Sequence, residues 1–277
     1  MAGIIPVVKE MGDHGMCWHD CLVPIAPNYY AIERAVYECS IAGCNTIWIV
    51  ADDDVSPLIR HVIGSKIQDP VYLGRKSRFP SESRQTIPVY YVPIMPNHRN
   101  KKLCISWTIV QGATVAAEVA NGISKWLAPE RFYVSFPYGV YNVKGLRKSR
   151  LDFIRERSTM LTFNGRSVKD GEYLGFVFHS DSLPALEKKF SDGQASIITA
   201  EELENQEDYY YNNFSLDKVF GNDVLYESKE VDLDWYYPID SWDGYCKYLG
   251  SEHRKEQKHP GKLIISHRNW NPVGEDK

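Results

Sequence analysis

Several groups of side chains in this 277-residue chain have the types and spacing to do chemistry. Asp52 and Asp54 stand one residue apart after the β-branched run TIWIV, 46–50. Two carboxylates so spaced at a strand's carboxyl end can share a divalent cation, or can cap the helix that follows, with Asp54 as its N-cap. Gly12 and Gly15 punctuate an irregular loop, 9–21. Glycines in such a loop let backbone N–H groups turn toward phosphate oxygens. The same loop holds His14, Cys17, His19 and Cys21, a spacing tighter than the separated pairs of a zinc knuckle, so packing by Met16 and Trp18 is the competing reading. Gln111, Gly112 and Thr114 open an Ala-rich helix predicted to run to about Trp126, where free N–H groups can face an anion or a base edge. Tyr138 follows the strand-like run RFYVSF, 131–136, and can stack on a ligand or cover the end of a sheet.

The elements that must position these groups read from periodicity. Ile4 to Val8 is a short buried strand. Ile32, Ala35, Val36, Cys39, Ile41 and Ala42 recur at helical spacing before the stop signal Gly43, and residues 46–50 form the next strand. A helix is predicted from Val55 to Ile63. Residues 64–87 carry Gly, Pro, Ser and basic side chains with little periodicity and read as a surface insertion. Two prolines make 89–93 an edge strand at best.

Composition bounds the function. The chain is 43% hydrophobic and 25% charged, as expected of a globular protein, and its net charge of -4 gives no overall pull toward nucleic acid. The first residues lack the basic and apolar regions of a signal peptide, and no run approaches a membrane span. Six cysteines are too sparse for a disulfide scaffold, and Cys39, Cys44 and Cys104 lie in apolar patterns. These features predict a cytoplasmic location.

The order IIPVV, KEMGDHGMCWHDC, LVPIAPN, YYAIERAVYECSIAGC, NTIWIV resembles the opening of the sugar-1-phosphate nucleotidylyltransferases. Gly112-Ala113-Thr114 is similar to that family's "GTA", and WYYPIDSWDGYCKYL, 235–249, to its "W-x-D-I-D-T-P-E-D-Y". The resemblance implies an α/β, Rossmann-like GT-A nucleotidyltransferase fold with a mixed, mostly parallel sheet flanked by helices. It implies a domain over 1–249, an acceptor-side subdomain at 158–231 and a tail at 250–277, through which a second copy or a protein partner can dock. The candidate nucleotide-binding residues are Gly12, Gly15, Gln111, Gly112, Thr114 and Tyr138, and the D-x-D spacing makes Asp52 and Asp54 the candidate Mg²⁺ ligands, shifted from that family's own positions. The departures fall on the chemistry. Asp20 stands where the family's signature lysine does, residues 136–139 replace its "NGD", Pro238 falls on its second metal ligand, and Asp240 becomes an expected helix cap.

Three functions follow: nucleotidyl transfer from a nucleoside triphosphate to a sugar phosphate, a non-catalytic relative binding a nucleotide, sugar or protein, and a GT-A glycosyltransferase using Asp52-x-Asp54.

Overall fold

The computed structural model describes residues 1–8, 19–73, 86–95, 98, 104–195, 213–221 and 223–261. In chain order the first half comprises β1 (Ala2–Pro6), β2 (Pro24–Ala26), β3 (Tyr29–Tyr30), α1 (Ala31–Ala42), β4 (Thr46–Ala51), α2 (Ser56–Ile63), β5 (Lys66–Gln68), α3 (Pro70–Leu73), β6 (Thr86–Pro93) and α4 (Ile105–Ile123). The second half comprises β7 (Arg131–Val134), β8 (Gly139–Tyr141), α5 (Arg150–Arg155), β9 (Thr159–Thr162), β10 (Phe176–His179), α6 (Leu183–Ala195), α7 (Leu216–Phe220), β11 (Lys229–Asp232), β12 (Tyr236–Pro238) and α8 (Trp242–Leu249).

Eight strands form one sheet in the order β11-β9-β10-β7-β1-β4-β6-β5. The central run β7-β1-β4-β6 is parallel, and β10 runs antiparallel to both neighbours. The strands alternate two apolar faces, as a sheet covered on both sides must. Ile5, Ile47 and Ile49 join α1 in one core, while Ile4, Trp48 and Val50 join α4 in the other. Each fully buried isoleucine contributes about 1.5–3 kcal/mol by leaving water. Helix α1 ends where Gly43 adopts φ +104°, the left-handed conformation that a side chain disfavours. No helix among the described residues is long and apolar enough to cross a membrane.

Several boundaries differ from expectation for identifiable reasons. Helix α4 begins at Ile105, not Gln111, because residues 104–110 are a short apolar run that periodicity cannot assign. Residues 66–68 of the expected insertion form β5, an edge strand of the main sheet, whereas 74–85 lie outside the described residues. Strand β6 is paired on both sides despite its prolines, since β5 covers 86–88 and β4 covers 89–93, so neither half carries two full ladders. Strands β9, β10 and β11, placed in an acceptor-side subdomain, continue the main sheet. Both edges of that sheet are short and charged: β5 opens with exposed Lys66, and β11 reads KEVD with Lys229, Glu230 and Asp232 exposed.

Candidate functional site

Parallel strands place their carboxyl ends along one edge, and ligands of open α/β sheets bind outside that edge where the strand order reverses. Here the reversal lies between β1 and β7, flanked on one side by β4 and on the other by β10 and β9.

The end of β7 is held from below by a buried ionic network. Arg34 and Glu38, four residues apart on α1, form an ion pair at 2.8 Å with both side chains fully buried. Tyr133 donates to Glu38 Oε1 at 2.6 Å and Ser135 to Glu38 Oε2 at 2.7 Å. Arg34 Nη2 donates to the Phe136 carbonyl, and its guanidinium lies 4.6 Å from the Tyr141 ring centroid. Burial, followed by the Glu38 carboxylate, pushes the phenols of Tyr133 and Tyr141 well above their ordinary range. A buried charge pair is tolerable only with such hydrogen bonds around it.

Above this network the chain turns through Pro137 to Tyr138. The Tyr138 hydroxyl accepts from Val8 N at 2.7 Å and donates to Val8 O at 3.0 Å. Its ring is fully buried and meets Tyr173 edge-on at 5.5 Å. Tyr138 therefore covers the sheet end, the second of the two uses its position allowed, and offers no exposed face for stacking. It ties β7 to the end of β1.

Beside it a cleft of about 180 Å³ remains, lined by Phe163, Asn164, Arg166, Glu172, Tyr236 and Pro238 among others. Strand β9 leads into its rim, where Asn164 and Gly165 form a turn closed by the Phe163–Arg166 bridge. Strand β12 supplies Tyr236 and Pro238, with Pro238 opposite Gly139 of β8. Arg166 pairs with Glu172 at 2.8 Å while its own side chain stays 65% exposed, leaving donors for a ligand. Burial and then the Glu172 and Asp240 carboxylates push the Tyr236 phenol well above its ordinary range, so it keeps its proton at neutral pH. Sequence reading missed Arg166, Glu172 and Tyr236.

The expected ligand residues are dispersed. Gly12 and Gly15 lie outside the described residues, as do His14 and Cys17; His19 instead accepts from Cys21 N at 3.4 Å. Gly112 is in the middle of α4, where an added Cβ would come 2.6 Å from Val50 Cγ2, so this glycine permits close helix–sheet packing. Thr114 donates to Glu187 at 2.6 Å, joining α4 to α6. Gln111 Nε2 donates to Pro93 O at 3.4 Å, and its buried Oε1 has no hydrogen-bond partner among the described residues. Neither expected cap acts: Val55 precedes α2 and Ser241 caps α8, in place of Asp54 and Asp240.

Asp52 follows β4, with its Oδ1 accepting from Asp53 N at 2.8 Å, while Asp53 and Asp54 are exposed. Four strand spacings separate β4 from β9, so this pair and the cleft are about 19 Å apart. Magnesium demands oxygen donors in near-octahedral array. The side chains of Pro137, Tyr138 and Pro238 do not fit that demand, and among the described residues no three His, Cys, Asp or Glu converge on a metal-sized space.

No protein-family model and no curated protein matches the sequence. Solved structures do match. A putative glucose-1-phosphate thymidylyltransferase from Bacillus anthracis aligns over 95% of this chain and 98% of its own, with TM-score 0.53 and 8% identity. A UDP-glucose pyrophosphorylase aligns over 92% and 99%, with TM-score 0.52 and 11% identity. The chain has a nucleotidyltransferase-like fold. At these identities the likeness is one of backbone, and the nucleotidyltransferase-like sheet carries its own side chains along the carboxyl edge.

Proposed function

We propose that this chain binds a sugar phosphate or nucleotide-sugar at the carboxyl edge of its sheet without transferring a nucleotidyl group. The observation that carries this reading is the end of β7, where Tyr138 is buried and bonded twice to the Val8 backbone and residues 135–139 contain no carboxylate. Nucleotidyl transfer needs carboxylates to hold Mg²⁺ where charge builds on the phosphate. Retained binding is supported by the adjacent cleft, in which Arg166 offers a cation to phosphate and the exposed Asn164 carboxamide offers hydrogen bonds to hydroxyls. The sugar class is supported by the two similar structures, whose names specify glucose-1-phosphate and UDP-glucose.

Calorimetry with UDP-glucose, glucose 1-phosphate and nucleoside triphosphates, with and without Mg²⁺, tests the reading. A sugar-bearing ligand should bind without the metal, and at a hundred times its Kd it should add about 2.7 kcal/mol of stability. Arg166→Ala should weaken that binding about tenfold, equivalent to ~1.4 kcal/mol. Pyrophosphate release that requires Mg²⁺ and is lost in Asp52→Ala would overturn the proposal and make Asp52 and Asp54 the metal site of an active enzyme.

A further inference from the structure

The amino edge of the sheet, opposite the edge that carries the cleft, has a groove of its own. Met1, Thr46 and Arg131, beside the starts of β1, β4 and β7, border this space of about 580 Å³. Its floor is aromatic. Trp48 of β4 and Tyr90 of β6 stack with centroids 4.3 Å apart and 23° between planes, and Tyr90 stays 42% exposed. One wall is the end of α4, through Val119, Ala120 and Ile123, and Ile154 of α5 stands on the other.

A projection rises from the rim of this recess. After α4 the chain makes a tight 3-10 turn, Lys125–Leu127, in which Trp126 is 94% exposed. Ser124 Oγ accepts from Trp126 N at 3.3 Å, and the Ser124 carbonyl accepts from Leu127 N at 2.9 Å. The turn is therefore fixed with its indole outward, and a face set in its contact geometry loses less entropy on association.

The extent of the face decides what covers it. Tyr90, Val119, Ile123, Trp126 and Leu127 together present roughly 600 Å² of side chain, at the top of the ~300–600 Å² of a monomer's largest apolar patch. That is most of the ~800 Å² that each partner gives to a standard interface, and aromatic residues are enriched in such interfaces. A small ligand would fill the groove and leave Trp126 in water. A second copy covers both, because a two-fold axis pairs a face with itself and each copy must then offer projection and recess together. The rim carries exposed charges of both signs, Lys125 and Glu130, which the same axis can set against each other.

We propose that this face is the interface of a two-fold homodimer, in which the Trp126 ring of each copy enters the groove of the other and packs on Tyr90. The interface shares no residue with the cleft of the proposed function, so the two stand or fall separately, and both clefts stay open in the dimer.

The experiment is sedimentation equilibrium of the intact chain from about 0.1 to 100 µM, with circular dichroism to confirm that each variant is folded. Wild type should reach twice the monomer mass. Trp126→Ala removes the projection from a side chain already in solvent and should weaken association at least about 100-fold, since a central anchor is lost from both copies. Ala120→Glu leaves Trp126 in place and puts a charge in the groove, and it should do the same. Leu58→Ala, at an exposed leucine of α2 outside the groove, should change association less than about twofold. A wild-type chain that is monomeric throughout would overturn the proposal, whether the groove is then empty or covered by another segment of the chain. A dimer that Trp126→Ala and Ala120→Glu leave intact, or that Leu58→Ala weakens as much as they do, would also overturn it.

Discussion

The ends of β7 and β4 lie on the same edge of one sheet, separated by β1 alone, and their chemistry is opposite. The β7 end is closed: Tyr138 is tied to Val8 and the turn beneath it is gripped by Arg34, which is itself held by Glu38. The β4 end is open, with Asp53 and Asp54 in solvent, the Asp52 carboxylate accepting its neighbour's N–H and the Asp52 carbonyl accepting from Val55 and Ser56. Strand order settles where an edge can take a ligand, but side chains settle whether it does. A buried phenol at the reversal point moves the accessible chemistry sideways, toward Arg166 and Glu172.

The comparison breaks first if the closed end is not held by its network. Glu38→Ala strands Arg34 in the core and should cost about 3–5 kcal/mol in urea denaturation, whereas Asp54→Ala should stay within about 0.5 kcal/mol. Similar midpoints for the two variants would show that the ends are equally dispensable. Next in size is Tyr138→Phe, which keeps the ring but leaves Val8 N and O without the hydroxyl. It should cost about 1–3 kcal/mol and raise hydrogen exchange at Val8; unchanged exchange would mean that the hydroxyl does not fasten β1 to β7. The smallest effect at neutral pH is electrostatic. The phenols of Tyr133, Tyr138 and Tyr141 are raised above their ordinary value of 10.0, by burial first. Their protons are lost more readily from the unfolded chain, so stability is fully present below pH 10 and falls as pH rises toward the folded values. Absorbance at 295 nm should show these tyrosines ionising together with unfolding; early, independent ionisation would mean that the closed end admits water.

The opening of the fold was legible because its signals are local. Helix α1 repeats its apolar residues at helical spacing and stops at Gly43, and β4 is a β-branched run. What escaped depends on distant partners. Arg34 and Glu38 have the spacing of an ordinary surface pair. Only the return of Tyr133, Ser135 and Phe136, about a hundred residues later, makes them a fully buried, hydrogen-bonded pair. The start of α4 failed for a different reason, since CISWTIV satisfies strand and helix alike. Gly112, read as part of a helix opening that faces an anion or a base edge, instead lets the middle of α4 approach Val50 and Ile4 of the sheet. The cleft was invisible because Asn164, Arg166 and Glu172 carry no motif, and the motif-like run holding Tyr236 was read for Pro238 and Asp240. Only a turn, an antiparallel strand and a ribbon bring them together.

The short, charged edges of the main sheet bear on what this protein does when crowded. An unpaired strand edge is a template for another chain, and a long apolar one seeds aggregates. Strand β5 offers three residues beginning with Lys66, and β11 offers Lys229, Glu230 and Asp232 to any strand that tries to extend the sheet. A newcomer at either end would have to bury these exposed charges before it gained more than a few backbone hydrogen bonds. The eight-stranded sheet is therefore self-terminating at both of its edges.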